Sequence, residues 1–335
     1  MGQKWSRRDI LRMTGAWGLM SVVPGVSPLL FEWPGKESTP RSASPVTAAP
    51  VLFGAWEPGP PEAVDTLERS VGRPLDIVHW YQGWGAEVQA FDEERARATV
   101  RRNALPLVTW EPWDYRQGRE QPHFRLSSIR EGRFDPFLRT WARTLREFGR
   151  PIWLRFAHEM NAKSYPWSVG VNQNGAADYV AAWRHVVEIM REEGATNVSF
   201  VWSPVVPAAD STPLAECFPG DDYVDVIGMD GYNAGSAAEW GGWLSLSQVF
   251  GNLYDEIGRL SSRPTIIAEV GCAEEGGDKR KWLADSFQRE LPQRFPAVSA
   301  VVWFNERREA NWRLDSNQST LQTARVVFSS PPFSS

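Results

Sequence analysis

The stretch Pro151-Ile152-Trp153-Leu154-Arg155-Phe156-Ala157-His158-Glu159-Met160-Asn161 decides how this chain is read. It opens as an apolar run of strand length and ends in a carboxylate. A carboxylate loses solvation inside a buried strand, so Glu159 belongs at the strand's end, where it meets water or a ligand. Pro264-Thr265-Ile266-Ile267-Ala268-Glu269-Val270-Gly271 repeats the pattern, with Glu269 ending the run.

Working outward, apolar runs at 51–56, 75–80, 105–110, 152–157, 198–202, 224–229, 265–268 and 298–304 read as strands. Helix-like segments lie between them. In 134–148, Phe137, Leu138, Trp141 and Leu145 recur at helical spacing. In 178–193, Val180, Trp183, Val187 and Met190 do the same, and Gly194 ends the segment. Further helices are expected at 61–70, 92–103, 246–260 and 279–295. Strands alternating with helices imply a parallel sheet, and its expected closed form is the α/β fold of the (β/α)8 TIM barrel. An open doubly wound sheet would carry a glycine-rich phosphate loop after its first strand; none is present. In a barrel, strand C-terminal ends form the mouth where reacting groups gather. Glu159 on strand four and Glu269 on strand seven then face each other across a cleft.

The chain has 335 residues. Residues 1–37 read as an export signal: Ser6-Arg7-Arg8-Asp9-Ile10-Leu11 resembles a twin-arginine motif, and a modestly apolar stretch follows. That stretch is broken by Pro24 and Gly25, short of the continuous apolar run of about 20 residues that a membrane span needs. Residues 38–50 form a Pro/Ser/Ala-rich linker, 51–320 the barrel, and 321–335 a C-terminal tail. The expected location is secreted or periplasmic, with no membrane span in the mature chain. Net charge is −5 with mixed signs and no basic stripe, which argues against nucleic acid. The four histidines show no metal-ligand spacing with the cysteines, so neither metal nor cofactor is expected. A monomer is expected. Cys217 and Cys272 fall before strand six and after strand seven, at opposite barrel ends, too far apart to bridge.

Two carboxylates on different strands are the equipment of a glycosidase. Eighteen tryptophans point the same way, because flat aromatic faces suit the C–H faces of sugars. Trp56, Trp84, Trp110, Trp113, Trp167, Trp202 and Trp303 sit at strand ends. Trp303 is expected as a floor for the sugar at the cleavage point. Glu111 ends strand three beside Trp113 and either holds sugar hydroxyls or an arginine. His79 and Tyr81 alternate on strand two and face the same way, with Tyr81 the site candidate. Asp230 either caps a turn or binds sugar. Tyr232 is the expected donor to Glu269, and Arg155 its positive neighbour. Asn161 bonds near the acid or caps its loop. Asn305-Glu306 is expected to anchor a loop.

His158-Glu159-Met160-Asn161 with Tyr165-Pro166-Trp167 resembles the strand-four signature of glycoside hydrolase family 26, the β-mannanase family. Val201-Trp202-Ser203-Pro204, the run from Phe218 to Asn233, and Ile267-Ala268-Glu269-Val270-Gly271 resemble its next three strand regions in order. The resemblance implies a retaining hydrolase of β-linked polysaccharide, with Glu159 as acid/base, Glu269 as nucleophile and His158 contacting substrate or nucleophile. It implies β-1,4-mannan first, with β-1,3-xylan or mixed-linkage β-glucan as alternatives; a non-catalytic glycan-binding barrel is the rival outside catalysis. One departure stands out. Ala162-Lys163-Ser164 occupies the place where family members often carry a glycine and a sugar-stacking tryptophan.

The leader yields a direct test. Changing Arg7 and Arg8 together to Lys is expected to abolish export, measured as enzyme in the extracellular fraction. Undiminished export would assign the leader to the general secretory route.

Overall fold

A computed structural model describes residues 50–85 and 89–333. The leader and nearly all of the linker lie outside the described residues. Eight parallel strands close into a barrel in sequence order: β1 Leu52–Trp56, β2 Ile77–Gly83, β3 Leu105–Glu111, β4 Ile152–Phe156, β5 Val198–Trp202, β6 Val226–Asn233, β7 Thr265–Cys272 and β8 Val298–Phe304. The main outer helices are α1 Pro61–Val71, α2 Glu93–Arg101, α3 Asp135–Phe148, α4 Ala176–Glu192 and α5 Leu246–Leu260. The next, α6, starts as Lys279–Asp285, widens through a π-type turn at Ser286–Glu290 and ends at Leu291–Arg294. The last, α7, is Gln318–Phe328.

Local chemistry sets the helix ends. The Asp92 side chain accepts the Arg95 amide at the start of α2, and Ser245 and Gln248 form a reciprocal capping box on α5. Gly72 and Gly149 close α1 and α3 in left-handed geometry. The α7 helix corrects the sequence reading of residues 321–335 as a tail. It crosses the 320/321 boundary, and Phe328 stacks on Phe53 of β1 with ring centroids 3.9 Å apart. Its apolar positions are the barrel's last outer layer.

Strand alternation sorts side chains into two cores. Leu52, Ile77, Leu105, Leu107, Trp153, Val201, Val226, Ile266, Ala268, Ala300 and Val302 fill the barrel floor. Residues of opposite parity, such as Val78, Trp110, Leu154, Trp202, Ile267 and Trp303, face the helices. Above the floor the inward positions turn polar: His79, Thr109, Arg155 and Asp230, all buried.

This sorting corrects two expectations. Trp303 is not a sugar floor. It shares the outward parity of Val301, is fully buried, packs edge-on with Trp282 and Phe287, and donates to the Trp312 carbonyl at 2.9 Å. Phe304, one position on, lines the mouth instead. Likewise Trp84, Trp110, Trp167 and Trp202 are fully buried. Most strand-end tryptophans therefore serve packing, where large aromatics contribute most area. Cys217 and Cys272 are both buried free thiols.

Trp303→Ala is expected to lower unfolding free energy by about 3–5 kcal/mol through the cavity it leaves. Chemical denaturation checks this, and KM should stay unchanged because the side chain does not reach the cleft.

Candidate active site

Two backbone irregularities deliver the carboxylates to the mouth. Along β7, Ile266 and Ala268 face inward and Ile267 outward, so strict alternation would turn Glu269 outward. The ladder slips instead. Met229 pairs with Ile267 but Asp230 pairs with Glu269, and the register against β8 also shifts between Ile267 and Val270. This bulge, a device that re-aims a side chain, sets Ala268 and Glu269 on the same inner face. The strand then continues to Cys272 rather than stopping at Ala268 as read from sequence. At β4 the chain leaves the barrel through Ala157 (φ 44°) and Glu159 (φ 52°). Left-handed geometry at two non-glycine residues costs energy and persists only where surroundings enforce it. Here the Glu159 amide is tied to the Ser203 carbonyl at 2.7 Å, and the Trp167 indole donates to the His158 carbonyl at 2.6 Å.

Below the mouth, Arg155 is fully buried. Its Nη1 donates to both Asp230 oxygens at 2.9 Å, its Nε to Thr109 Oγ1 at 2.7 Å, and its Nη2 to Glu269 Oε1. Burial works against its charge, but Asp230 and Glu269 outweigh it and hold its pKa above that of an ordinary arginine. Ser203 Oγ donates to Asp230 at 2.9 Å. Gly228 makes room for that contact, since a Cβ there would lie 2.4 Å from Ser203 Oγ.

Glu269 receives three donors: Arg155, the Tyr81 hydroxyl at 2.6 Å and the Tyr232 hydroxyl. Burial first, then the charge of Glu269, raises the pKa of both tyrosines, so both remain protonated donors. Glu159 has the opposite setting. Burial foremost, then Asp230 and Glu269, push its pKa well above the ordinary carboxyl value against the pull of Arg155. Burial pushes Glu111 up to about 7, opposed by the Trp113 side chain and Arg155. Burial and Arg155 lower the pKa of His79 and His158, leaving neutral imidazoles.

A cleft of about 900 Å³ lies over these groups, and Glu159, Glu269, Tyr81, Glu111, Trp113 and Tyr232 all line it. Besides Trp303, three expected contacts do not. Asp230 is fully buried beneath the mouth as the Arg155 partner, so it positions rather than binds. Trp167 is fully buried and stacks behind Tyr165, centroids 4.5 Å apart and planes within 6°; Tyr165 is the ring that reaches the cleft. His158 is fully buried against Tyr81, Tyr165 and Trp167, so it supports the tyrosine wall. Asn161 clamps the next loop, exchanging bonds with Val205 at 2.8 and 3.0 Å. Asn305 anchors its loop to Glu57 and Leu314, while Glu306 accepts the Trp56 indole at 2.9 Å.

Sequence reasoning missed Phe304, Glu306, Arg308, Tyr115 and Trp240 on the cleft wall. Alternation from Val302 would have found Phe304; the others sit in loops without periodic signal. Among the described residues, no group of three or more His, Cys, Asp or Glu side chains is arranged to hold a metal ion.

Residues 136–270 match the sequence pattern of Glycosyl hydrolase family 26. The chain is 34% identical to Endoglucanase H of Acetivibrio thermocellus over 82% of its length and 30% of that protein. It is 35% identical to Beta-1,3-xylanase TXYA of a Vibrio species over 34% of this chain and 24% of the other. It is 30% identical to Mannan endo-1,4-beta-mannosidase of Bifidobacterium adolescentis over 46% and 16%. The chain thus spans under a third of the length of these relatives. In fold it is similar to the catalytic domain of the Bacillus sp. JAMB-750 GH26 endo-beta-1,4-mannanase, with TM-score 0.62, 17% identity, and 86% and 88% of the two chains covered.

The acidic wall makes a pH prediction. The folded pKa of Glu111 is raised, so its contribution to stability is full below about 4.5 and is lost as pH rises through about 7. The displacement corresponds to roughly 3 kcal/mol. Glu111→Gln is therefore expected to gain stability over wild type as pH rises from 4.5 to 8, by up to about 3 kcal/mol. Urea denaturation across that range checks the sign; a constant difference would contradict it.

Proposed function

The chain belongs to Glycosyl hydrolase family 26, and from that premise we propose that it is a retaining endo-acting hydrolase of β-linked polysaccharide. One observation carries the reading: two carboxylates line one cleft in opposite electrostatic settings. Glu269, held by three donors, suits a nucleophile. Glu159, whose raised pKa keeps its proton, suits a general acid. Glu269 attacks the anomeric carbon while Glu159 protonates the departing glycosidic oxygen. The resulting glycosyl ester is then hydrolysed by water, which Glu159, now a carboxylate, deprotonates. Arg155 and the two tyrosines keep Glu269 aimed and hydrogen-bonded through both steps.

For the substrate, β-1,4-mannan is the first reading, supported by the likeness to the Bifidobacterium mannosidase. Mixed-linkage β-glucan is the second. It is favoured by the longer and closer likeness to a protein named Endoglucanase H, and by the small side chains of Ala162 and Ser164 on the cleft wall. The likeness to β-1,3-xylanases supports β-1,3-xylan over a shorter stretch. Export rests on the twin-arginine-like leader. Among the described residues, no helix is long and apolar enough to cross a membrane.

The roles separate experimentally. Glu269→Gln is expected to abolish turnover of every substrate. Glu159→Ala should slow natural glycans by about 10²–10⁴-fold yet spare the first step on aryl glycosides with acidic leaving groups. Azide should then rescue its turnover and give a β-glycosyl azide. An α-azide would exchange the two roles. Wild-type protein that binds but cleaves no mannan, glucan or xylan would assign a binding function instead.

A further inference from the structure

Large apolar side chains left in solvent are few among the described residues: Tyr115 at 63% exposure, Trp240 at 62%, Val326 at 59% and Leu244 at 37%. Singly scattered exposure needs no explanation. Three of these four, however, line the same cleft as Glu159 and Glu269. Concentration of this kind marks a binding surface. Neither the Tyr115 nor the Trp240 ring has an aromatic or hydrogen-bonding partner among the described residues.

Their placement around the barrel is paired. Tyr115 follows β3, the strand before β4, after which Glu159 lies. Trp240 follows β6, the strand before the one that carries Glu269. Each exposed ring therefore lies in the loop that precedes a carboxylate-bearing strand, and the two loops are three strands apart around the mouth.

The wall carrying Trp240 is built to hold its shape. The Gly235 amide donates to the Gly242 carbonyl at 3.2 Å, the Ser236 amide to the Glu275 carbonyl at 3.2 Å, and the Leu244 amide to Asn233 Oδ1 at 2.9 Å. Two glycines let this loop and the one after β7 interlock. A Cβ on Gly235 would sit 1.7 Å from the Glu275 carbonyl oxygen, and one on Gly277 would sit 2.1 Å from the Trp243 ring. Ordering paid at folding is not paid again at binding, which favours affinity.

The cleft's charge selects the occupant. Apart from Glu111 and Glu159, whose pKa values burial raises, its lining includes Glu269, Glu306 and Glu309 against Arg308. An anionic chain would be repelled, whereas a neutral chain with flat C–H faces and hydroxyl edges would not. We propose that Trp240 and Tyr115 are stacking platforms on the two sides of the scissile bond, gripping an internal segment of a neutral β-linked glycan. This rests on the hydrolase reading above and adds to it the side chains that grip the glycan and the exclusion of acidic glycans.

Two measurements on the full chain test the proposal. In the Glu269→Gln background, calorimetric titration with mannohexaose and a mixed-linkage glucohexaose should show about tenfold weaker binding for Trp240→Ala and for Tyr115→Ala. Trp240→Phe should recover most of the loss, and hexagalacturonate should not bind. In the active enzyme, each alanine variant should lower kcat/KM on hexasaccharides about tenfold and on aryl monoglycosides by clearly less. The cleavage position on an end-labelled hexasaccharide should move toward opposite ends in the two variants. Hexaose affinity retained in both alanine variants would overturn the proposal whether or not the wild type is active. So would equal losses on long and short substrates. If wild type cleaves nothing but Trp240→Ala still weakens hexaose binding, the platforms stand and the catalytic reading falls.

Discussion

The guanidinium of Arg155 meets the inner faces of four other strands' worth of polar chemistry, touching His79 of β2, Thr109 of β3, Asp230 of β6 and Glu269 of β7. One buried cation holds two carboxylates, and burial, with its field added, keeps two histidines neutral. Taking an ion pair out of water is costly, and removing one partner leaves the rest uncompensated, at about 3–5 kcal/mol. The cluster is tolerable because both carboxylates are bonded through each of their oxygens and because the apolar floor beneath it supplies stability. It separates the barrel into a lower apolar half and an upper half that carries the cleft carboxylates.

The same cation explains why two glutamates in one cleft behave differently. Arg155 bonds directly to Glu269 but not to Glu159. Glu159 instead meets low polarity and the negative charges of Asp230 and Glu269. Burial and those charges favour the protonated form of Glu159, while Glu269 is bonded by Arg155 and both tyrosines. The tyrosine hydroxyls act on one side of that contrast only. Tyr81 and Tyr232 donate to Glu269, while His158, Trp167 and Tyr165 brace the wall above Glu159 without bonding to its carboxyl.

Much of this was legible in the sequence. Eight apolar runs gave the barrel, and the motifs around Glu159 and Glu269 gave the carboxylates. Tyr232 and Arg155 were expected beside Glu269, and both bond to it. His79 and Tyr81 share a face because the strand alternates. The failures have a common cause. The upper parts of β6 and β7 carry Asp230, Gly231, Tyr232, Asn233, Glu269 and Gly271, which do not look like strand, so those strands were ended early. Trp303 was assigned to the mouth from its position at a strand end, when parity decides. Trp167, one of the strand-end tryptophans, is the layer behind the cleft wall rather than the wall itself. The residues from Gln318 onward looked like a tail because a final helix packs on β1, a contact far away in sequence.

The bulge in β7 carries a consequence of its own. Glu269 faces inward because of how many residues precede it in the ladder, not because of its own preferences or those of its neighbours. Its aim is thus stored as a count. Side chains along β7 can drift among apolar residues without disturbing the reaction, whereas a single inserted or deleted residue between Thr265 and Glu269 would present Glu269 or Val270 to the wrong layer. Substitution and length change are ordinarily ranked by chemical severity. In this strand they are ranked by arithmetic, and for evolution or redesign the permissive axis is composition while the forbidden one is length.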